Sequence, residues 1–175
     1  ITCGVMGEDV CLIKSDPAGQ IVWTQLYGGK KMDVARFLEE TTDGGYIVVG
    51  ETYSFGAGKS DIWLVKTDSY GDTLWSRIYG GRRDEFGRTV RETPDGGYII
   101  AGSTNSFGRG RQDVWLLKTD ASGDTLWTKT YGWRRDEEAF SLDLTEDGGY
   151  IITGYKKHRA EDIWLLKTDA NGDTL

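Results

Sequence analysis

Short apolar runs, separated by segments rich in glycine and aspartate, make up most of this chain. One stretch contains four such runs: run a, Phe86–Thr93; run b, Tyr98–Ser103; run c, Asp113–Asp120; and run d, Thr125–Gly132. Runs b and c are rich in Ile, Val, Leu, Trp and Tyr, the residues typical of buried strands. No stretch keeps a 3.6-residue apolar period for two turns, so the pattern predicts strands and no helix.

The segments between these runs are turn signals. The sequence "TPDGGY" joins runs a and b, and "DASGD" joins runs c and d. Aspartate accepts backbone hydrogen bonds and glycine adopts positive φ, so both segments predict tight hairpins. Runs a to d are therefore expected to form one four-stranded antiparallel sheet.

The same unit recurs along the chain at a spacing of 52 residues. The markers are "DGGY" beginning at Asp43, Asp95 and Asp147, and "YG" beginning at Tyr27, Tyr79 and Tyr131. The repeats cover approximately residues 1–29, 33–81, 85–133 and 137–175. The first copy lacks run a and the last has only the start of run d, so we expect the chain to be a fragment or an ordered portion of a longer protein.

Four antiparallel strands per unit of about 50 residues, with tryptophan at fixed places, are typical of a β-propeller blade. A single blade cannot bury both faces of its sheet, whereas neighbouring blades can. We therefore predict an all-β propeller of four-stranded antiparallel blades, about four of which are visible. An open β-solenoid is the rival architecture. The tryptophans expected to pack between blades are Trp63, Trp115 and Trp164 in run c and Trp23, Trp75 and Trp127 in run d.

The repeat resembles two known groups of sequences. The segment "YIIAGS…DVWLLKTDASGDTLW" is similar to the pyrroloquinoline-quinone-type propeller repeat. It resembles more closely the repeats of large secreted bacterial and archaeal surface proteins, with the pattern "DGGYIIAG…D.WL.KTD..G…W…YGG". This resemblance covers essentially the whole chain and implies the propeller fold and an extracellular or cell-surface location. It implies no particular activity, because propellers host many unrelated functions.

Composition narrows the functional classes. The chain has 175 residues, a net charge of -7 and a sequence pI near 4.8, whereas nucleic-acid-binding proteins usually show a basic balance. We therefore expect no nucleic-acid partner. No apolar run approaches the ~18 residues of a membrane span, so none is expected.

Acidic and basic residues are predicted to lie at opposite ends of the blades. Aspartates dominate the a–b and c–d turns, whereas arginines and lysines gather in the b–c and d–a loops. Asp84, Glu85, Asp136 and Glu137 interrupt the basic loops. Turn capping and solubility explain such charges in many proteins, and a use in binding or stacking is the alternative.

The b–c loops differ most between copies, and loops on a rigid scaffold often carry binding residues. Phe55 and Phe107 either contact a partner or fold back as lids on the blade. The candidate binding residues are Phe55, Phe107, Arg82, Arg83, Arg109, Arg111, Arg134 and Arg135.

Few residues suit catalysis or metal binding. Asp169 and Asp173 in "DANGD" are weak calcium candidates, because the spaced acidic series of a calcium loop is missing. His158 is the one histidine, so structural zinc and a Ser-His-Asp arrangement have little support. No cofactor is expected, and turn carboxylates leave glycoside hydrolysis open.

Cys3 and Cys11 lie in runs b and c of the first copy. If the short loop closes symmetrically, they face each other across a hairpin, and a disulfide is expected. Two buried thiols are the alternative. A disulfide would indicate an oxidising compartment.

These observations lead to one functional prediction with two alternatives. We expect a non-catalytic extracellular or surface propeller that acts as a scaffold or a protein- or glycan-binding module. One alternative is a subunit of a filament or layer that self-assembles by head-to-tail stacking or strand exchange. The other is a propeller enzyme, a glycosidase or a quinoprotein-like protein.

Overall fold

The computed structural model describes residues 1–157 and 161–175, which form fourteen β-strands and no helix. These residues therefore include no helix that would cross a membrane. The strands form four antiparallel sheets in chain order, which confirms the predicted all-β class. Sheet 1 contains β1 (Thr2–Met6), β2 (Asp9–Ser15) and β3 (Ile21–Tyr27); sheet 2 contains β4 (Asp33–Glu40), β5 (Tyr46–Thr52), β6 (Asp61–Thr67) and β7 (Thr73–Tyr79); sheet 3 contains β8 (Glu85–Glu92), β9 (Tyr98–Thr104), β10 (Asp113–Thr119) and β11 (Thr125–Tyr131); sheet 4 contains β12 (Glu137–Leu144), β13 (Tyr150–Lys157) and β14 (Glu161–Thr168).

The predicted hairpins form where the turn residues are. In sheet 3, Thr93 N–H donates to Gly97 O at 2.9 Å and Gly96 N–H donates to Thr93 O at 2.8 Å. Gly96 adopts a φ of 78°, a conformation that glycine reaches without strain. Each sheet is therefore a simple meander in which consecutive strands are neighbours.

A β-bulge interrupts the first strand of each of sheets 2, 3 and 4. In sheet 3 the pairing shifts between Gly87 and Thr89, which leaves Arg88 as the extra residue. The partner strand has a glycine here, and a β-carbon added to Gly102 would lie 2.0 Å from Phe86 O. The last glycine of "YIIAG" is therefore required by the close approach of the bulged strand.

The core lies between consecutive sheets. Ile62 and Leu64 of sheet 2 pack against Trp115 and Leu117 of sheet 3, and all four side chains are buried. Trp63 is buried in the equivalent layer between sheets 1 and 2, so the predicted packing role of these two tryptophans is confirmed.

A tyrosine and a tryptophan from the last strand of each of sheets 1 to 3 hold the next sheet. Tyr79 Oη donates a hydrogen bond to Gly123 O at 2.7 Å, and a β-carbon on Gly123 would lie 2.8 Å from the Trp75 ring. Tyr27 and Tyr131 make the same bond to the turn glycine of the following sheet. The "W…YG" motif is thus a contact between sheets.

The predicted disulfide between Cys3 and Cys11 is wrong. Cys3 lies opposite Leu12, and Cys11 lies opposite Gly4. Because successive residues of a strand point to opposite faces, this register places the two thiols on different faces of sheet 1. Both cysteines are free; Cys11 is buried, and burial raises the pKa of the Cys3 thiol.

Candidate functional site

The connections at the two ends of the sheets form two distinct surfaces. The turn face consists of the hairpins that join runs a and b and runs c and d of each copy. The loop face consists of the connections between runs b and c and between consecutive sheets. Its main segments are residues 28–32, 53–60, 80–84, 105–112 and 132–136.

Aspartates on the turn face stabilise the turns themselves. Asp120 Oδ1 accepts hydrogen bonds from the N–H groups of Ser122 and Asp124, both at 2.9 Å. Asp16, Asp68 and Asp169 make the equivalent pair of bonds in the other copies. Turn capping therefore accounts for these carboxylates.

The aspartates of the a–b turns pair with lysines from run c of the same copy. Lys118 is buried, and its Nζ donates to Asp95 Oδ1 at 3.0 Å and to Thr119 O at 2.9 Å. Burial alone would raise the pKa of Asp95, but hydrogen bonds from Thr93, Lys118 and Gly97 outweigh it and lower the pKa to about 2. Lys66 with Asp43, and Lys167 with Asp147, repeat this ion pair.

The weak calcium candidates belong to the same capping arrangement. Asp169 Oδ1 accepts the N–H groups of Asn171 and Asp173, and Asp173 Oδ1 accepts a hydrogen bond from Lys129. Among the residues that the structure describes, no three His, Cys, Asp or Glu side chains are grouped so as to hold a metal ion. His158 lies outside the described residues.

Two glutamates on the loop face are buried, unlike the aspartates of the turn face. Glu85 is fully buried and accepts hydrogen bonds from Thr104 Oγ1 at 2.8 Å and from Gly81 N–H at 2.7 Å. Glu137 occupies the equivalent position and is also fully buried. The sequence suggested that these glutamates interrupt a basic surface, whereas they lie beneath it.

A second carboxylate accompanies each buried glutamate. Asp61 is buried, and a β-carbon on Gly80 would lie 1.8 Å from Asp61 Oδ1 and 2.8 Å from Glu85 Oε2. The two oxygens are therefore close neighbours. Burial, with a smaller contribution from the charge of Glu85, raises the pKa of Asp61. Burial likewise raises the pKa of Glu137.

The two loop phenylalanines fold back and still present part of their rings. Phe107 lies 5.1 Å from Trp115 between ring centroids, and Phe55 lies 5.8 Å from Trp63. Thr104 Oγ1 accepts the N–H groups of Ser106 and Phe107, which fixes the loop. Phe55 and Phe107 nevertheless remain 42% and 43% exposed. Each phenylalanine therefore packs against a tryptophan and is still partly exposed to solvent.

The candidate arginines remain at the surface, and most of them line a row of four adjoining pockets, which we call the groove. Four adjoining surface pockets share residues: Arg82 and Arg83 line the first two, Arg111 joins the second to the third, and Arg134 and Arg135 join the third to the fourth. Phe107 lines the first pocket. Arg109 is exposed at its loop tip and lies outside this lining.

Sequence reasoning missed one prominent residue of the groove. Trp133 is 62% exposed and lines the fourth pocket with Arg134, Arg135 and Lys156. It replaces the second glycine of "YGG", and this break in the repeat was the available signal. At the equivalent Gly81, a β-carbon would lie 2.5 Å from Ser106 Oγ, so a side chain fits only in the copy that lacks the "SFG" loop.

A set of ion pairs between the first strands of the sheets was also missed. Arg91 of β8 pairs with Glu39 of β4 at 3.5 Å and with Asp143 of β12 at 3.4 Å. The bulge residues Arg36 and Arg88 both pair with buried Glu51. The signal was present in the repeat spacing, where Glu39, Arg91 and Asp143 occupy equivalent positions with alternating charge.

The structure defines an all-β protein of four antiparallel sheets. No protein-family model matches the chain. A curated relative is the regulatory protein FlaEY of Caulobacter vibrioides, which is 29% identical over 113 residues. The match covers 57% of this chain and 12% of FlaEY, so the chain spans about an eighth of the length of that relative.

Proposed function

We propose that the chain forms consecutive blades of a β-propeller that serves as a non-catalytic binding module at an extracellular or cell surface. The binding surface is the loop face, and its ligand is a protein or a glycan. The extracellular location rests on the resemblance to secreted surface proteins alone, because the disulfide that would indicate an oxidising compartment is not formed.

The arrangement of strands within and between sheets supports the propeller. Contacts between sheets concentrate on the first strands, since Arg91 of β8 reaches both Glu39 of β4 and Asp143 of β12. The last strands, such as β7 and β11, have alternating exposed residues and lie at the far edge of each sheet. In a propeller, the first strands of neighbouring blades lie close together around the axis, and the last strands lie apart at the outside.

The observation that carries the binding role is the separation of charge on the loop face. Glu85 and Glu137 are buried, while Arg82, Arg83 and Arg134 stay exposed along one groove. None of these three arginines takes part in an ion pair with another described residue. Exposed cations around a groove on a rigid scaffold suit ligand binding.

An array of glycans and peptides tests this proposal. The immobilised protein is compared with the triple variant Arg82→Gln, Arg83→Gln, Arg134→Gln, and Arg77→Gln on strand β7 serves as a matched control. We expect ligands that bind the wild type and the control but not the triple variant. Equal binding by all three proteins, or no binding to either array, would refute the loop-face assignment.

A subunit of a self-assembling filament or layer is a second candidate, favoured by the outer face of sheet 4. Ile163 and Leu165 are 92% and 63% exposed, whereas the equivalent Ile62 and Leu64 are fully buried by the next sheet. A further sheet of the same kind from a second copy would cover this surface. Light scattering at 0.1 and 1 M salt tests it: we expect growth of the particle that persists at high salt, and a monomer at both salts contradicts it.

The enzymatic alternative lacks a comparable observation. Glu51, Glu39 and Asp143, which lie where the first strands approach each other, are all paired with arginines. This arrangement serves packing between sheets and leaves the binding role as the better supported proposal.

A further inference from the structure

We propose that the ligand of the loop face is a linear anionic polysaccharide, held by repeated subsites that each consist of one aromatic ring and two basic residues. This inference rests on the proposed binding function and specifies the class of its ligand.

The subsite recurs with different residues in successive copies. Phe107 lines one pocket, of about 390 Å³, together with Arg82 and Arg83. Trp133 lines another, of about 410 Å³, together with Arg134 and Arg135. The aromatic residue comes from the "SFG" loop in the first case and from the broken "YGG" motif in the second. The last copy thus lacks the phenylalanine of the "SFG" loop but has a tryptophan beside the equivalent basic pair.

The earlier copy shows the same combination. Phe55 lies against Gly29, since a β-carbon there would be 2.8 Å from the Phe55 ring, and Lys30 and Lys31 follow Gly29 directly. Lys31 N–H donates to Ser54 Oγ at 2.9 Å, as Arg83 N–H donates to Ser106 Oγ at 2.9 Å. The loops are therefore built alike, and the aromatic residue and the basic pair occupy equivalent positions in the two loops.

These rings are fixed before a ligand arrives. Phe107 packs against Trp115 and Phe55 packs against Trp63, and both phenylalanines remain partly exposed. A ring with little freedom to lose binds at a lower entropic cost than a flexible side chain. The exposed ring matches the C–H face of a pyranose, and the adjacent guanidinium groups match a carboxylate or sulfate on the same sugar.

Charge selects this ligand over other polyanions. A flexible acidic peptide supplies carboxylates without a ring-sized apolar face at each charge. Single-stranded nucleic acid supplies both, but the chain as a whole has a net charge of -7, unlike proteins that bind nucleic acids. An anionic polysaccharide supplies both features, a pyranose ring and a carboxylate on the same sugar, and Arg111 lies in the groove between the subsites.

Isothermal titration calorimetry with four polymers tests the inference. Polygalacturonate is the anionic polysaccharide, dextran the neutral one, and polyglutamate and an oligothymidylate are the competing anions. We expect binding of polygalacturonate, weakened about tenfold or more by Arg82→Gln with Arg83→Gln and by Phe107→Ala or Trp133→Ala. Tyr70→Ala, which removes an exposed aromatic ring from the turn face, and Lys129→Gln should leave binding unchanged.

The outcomes separate this inference from the proposed function. If only polyglutamate or oligothymidylate binds, and the loop-face variants weaken that binding, the polysaccharide inference is overturned. The proposal of a binding module is then kept. Binding of polygalacturonate that is insensitive to Phe107→Ala and Trp133→Ala also overturns the inference, because binding would then depend on charge alone. If the protein binds none of the four polymers but binds ligands on the array, the polysaccharide inference is overturned and the binding module is kept. If neither experiment finds a ligand, both proposals are overturned.

Discussion

The turn face and the loop face contain similar residues and use them in opposite ways. On the turn face the aspartates remain near the surface, and the lysine that pairs with each of Asp43 and Asp95 is buried beneath it. On the loop face the carboxylates of Glu85 and Glu137 are buried, and the arginines beside them are exposed.

This difference follows from which groups the backbone offers at each end. Hairpin turns present N–H groups, which hold carboxylates such as Asp120 at the surface. The loops present Thr104 Oγ1 and the N–H groups of Gly81 and Ser106 around an enclosed space, which holds the carboxylate of Glu85 inside. Residue order therefore predicts the sign of each face, whereas the burial of an individual carboxylate depends on the donor groups around it.

Two tryptophans near the loop face should show the largest contrast in stability. Trp115 is 4% exposed, so Trp115→Ala should lower the free energy of unfolding by about 3–5 kcal/mol. Trp133 is 62% exposed, so Trp133→Ala should change it by less than about 0.5 kcal/mol. Urea unfolding measures both, and similar losses would mean that Trp133 belongs to the scaffold.

Lysines from the two faces give the next largest effect. Lys118→Met removes a buried ammonium that bonds Asp95 and Thr119 O, and should cost about 2–3 kcal/mol of unfolding free energy. Lys59→Met removes an exposed lysine of the loop face and should cost less than about 0.5 kcal/mol. The same urea titrations check both variants. If Lys118→Met left the free energy of unfolding unchanged, the turn-face ion pair would not stabilise the fold.

The two faces should respond to pH in opposite directions. The folded-state pKa of Asp95 is lowered from 3.8 to about 2, so its stabilisation is present above pH 3.8 and is lost as the pH falls towards 2. The pKa of Asp61 is raised, so its ionisation destabilises the fold as the pH rises through the ordinary carboxyl range and beyond.

Asparagine variants measured by urea unfolding from pH 2 to 8 separate these contributions. Asp95→Asn should lie furthest below the wild type above pH 3.8 and approach it near pH 2. Asp61→Asn should compare best with the wild type at the highest pH. Parallel curves for the two variants would contradict the contrast between the faces.

The smallest expected effect is the alkylation of Cys3 and Cys11, which tests the strand register of sheet 1. This register also places Asp9 beside Asp33 at the loop face, since a β-carbon on Gly28 would lie 2.1 Å from Asp9 Oδ1 and 3.1 Å from Asp33 Oδ2. Alkylation of the unfolded, unreduced protein should modify both Cys3 and Cys11 by mass spectrometry. An unmodified pair would require another register, and with it another arrangement of these acids.

Local pattern predicted the strands well, because each run carries its own apolar residues and its own turn. Predicted runs b and c of sheet 3 agree with β9 and β10 within one residue. The Cys3–Cys11 prediction failed because a one-residue offset in pairing reverses the face of a side chain. The burial of Glu85 could not be predicted from its own segment, since it is enclosed by Thr104 at the end of β9 and by Ser106 in the loop that follows.

The opposite sign of the two faces is the central claim, and charged paramagnetic probes test it most directly. The relaxation of backbone amide protons by an anionic nitroxide is divided by that caused by a cationic nitroxide of the same size. The account predicts ratios well above one at Arg82, Arg111 and Arg134 and below one at Asp68, Asp120 and Asp169. Ratios that are equal on both faces, or reversed, would contradict it.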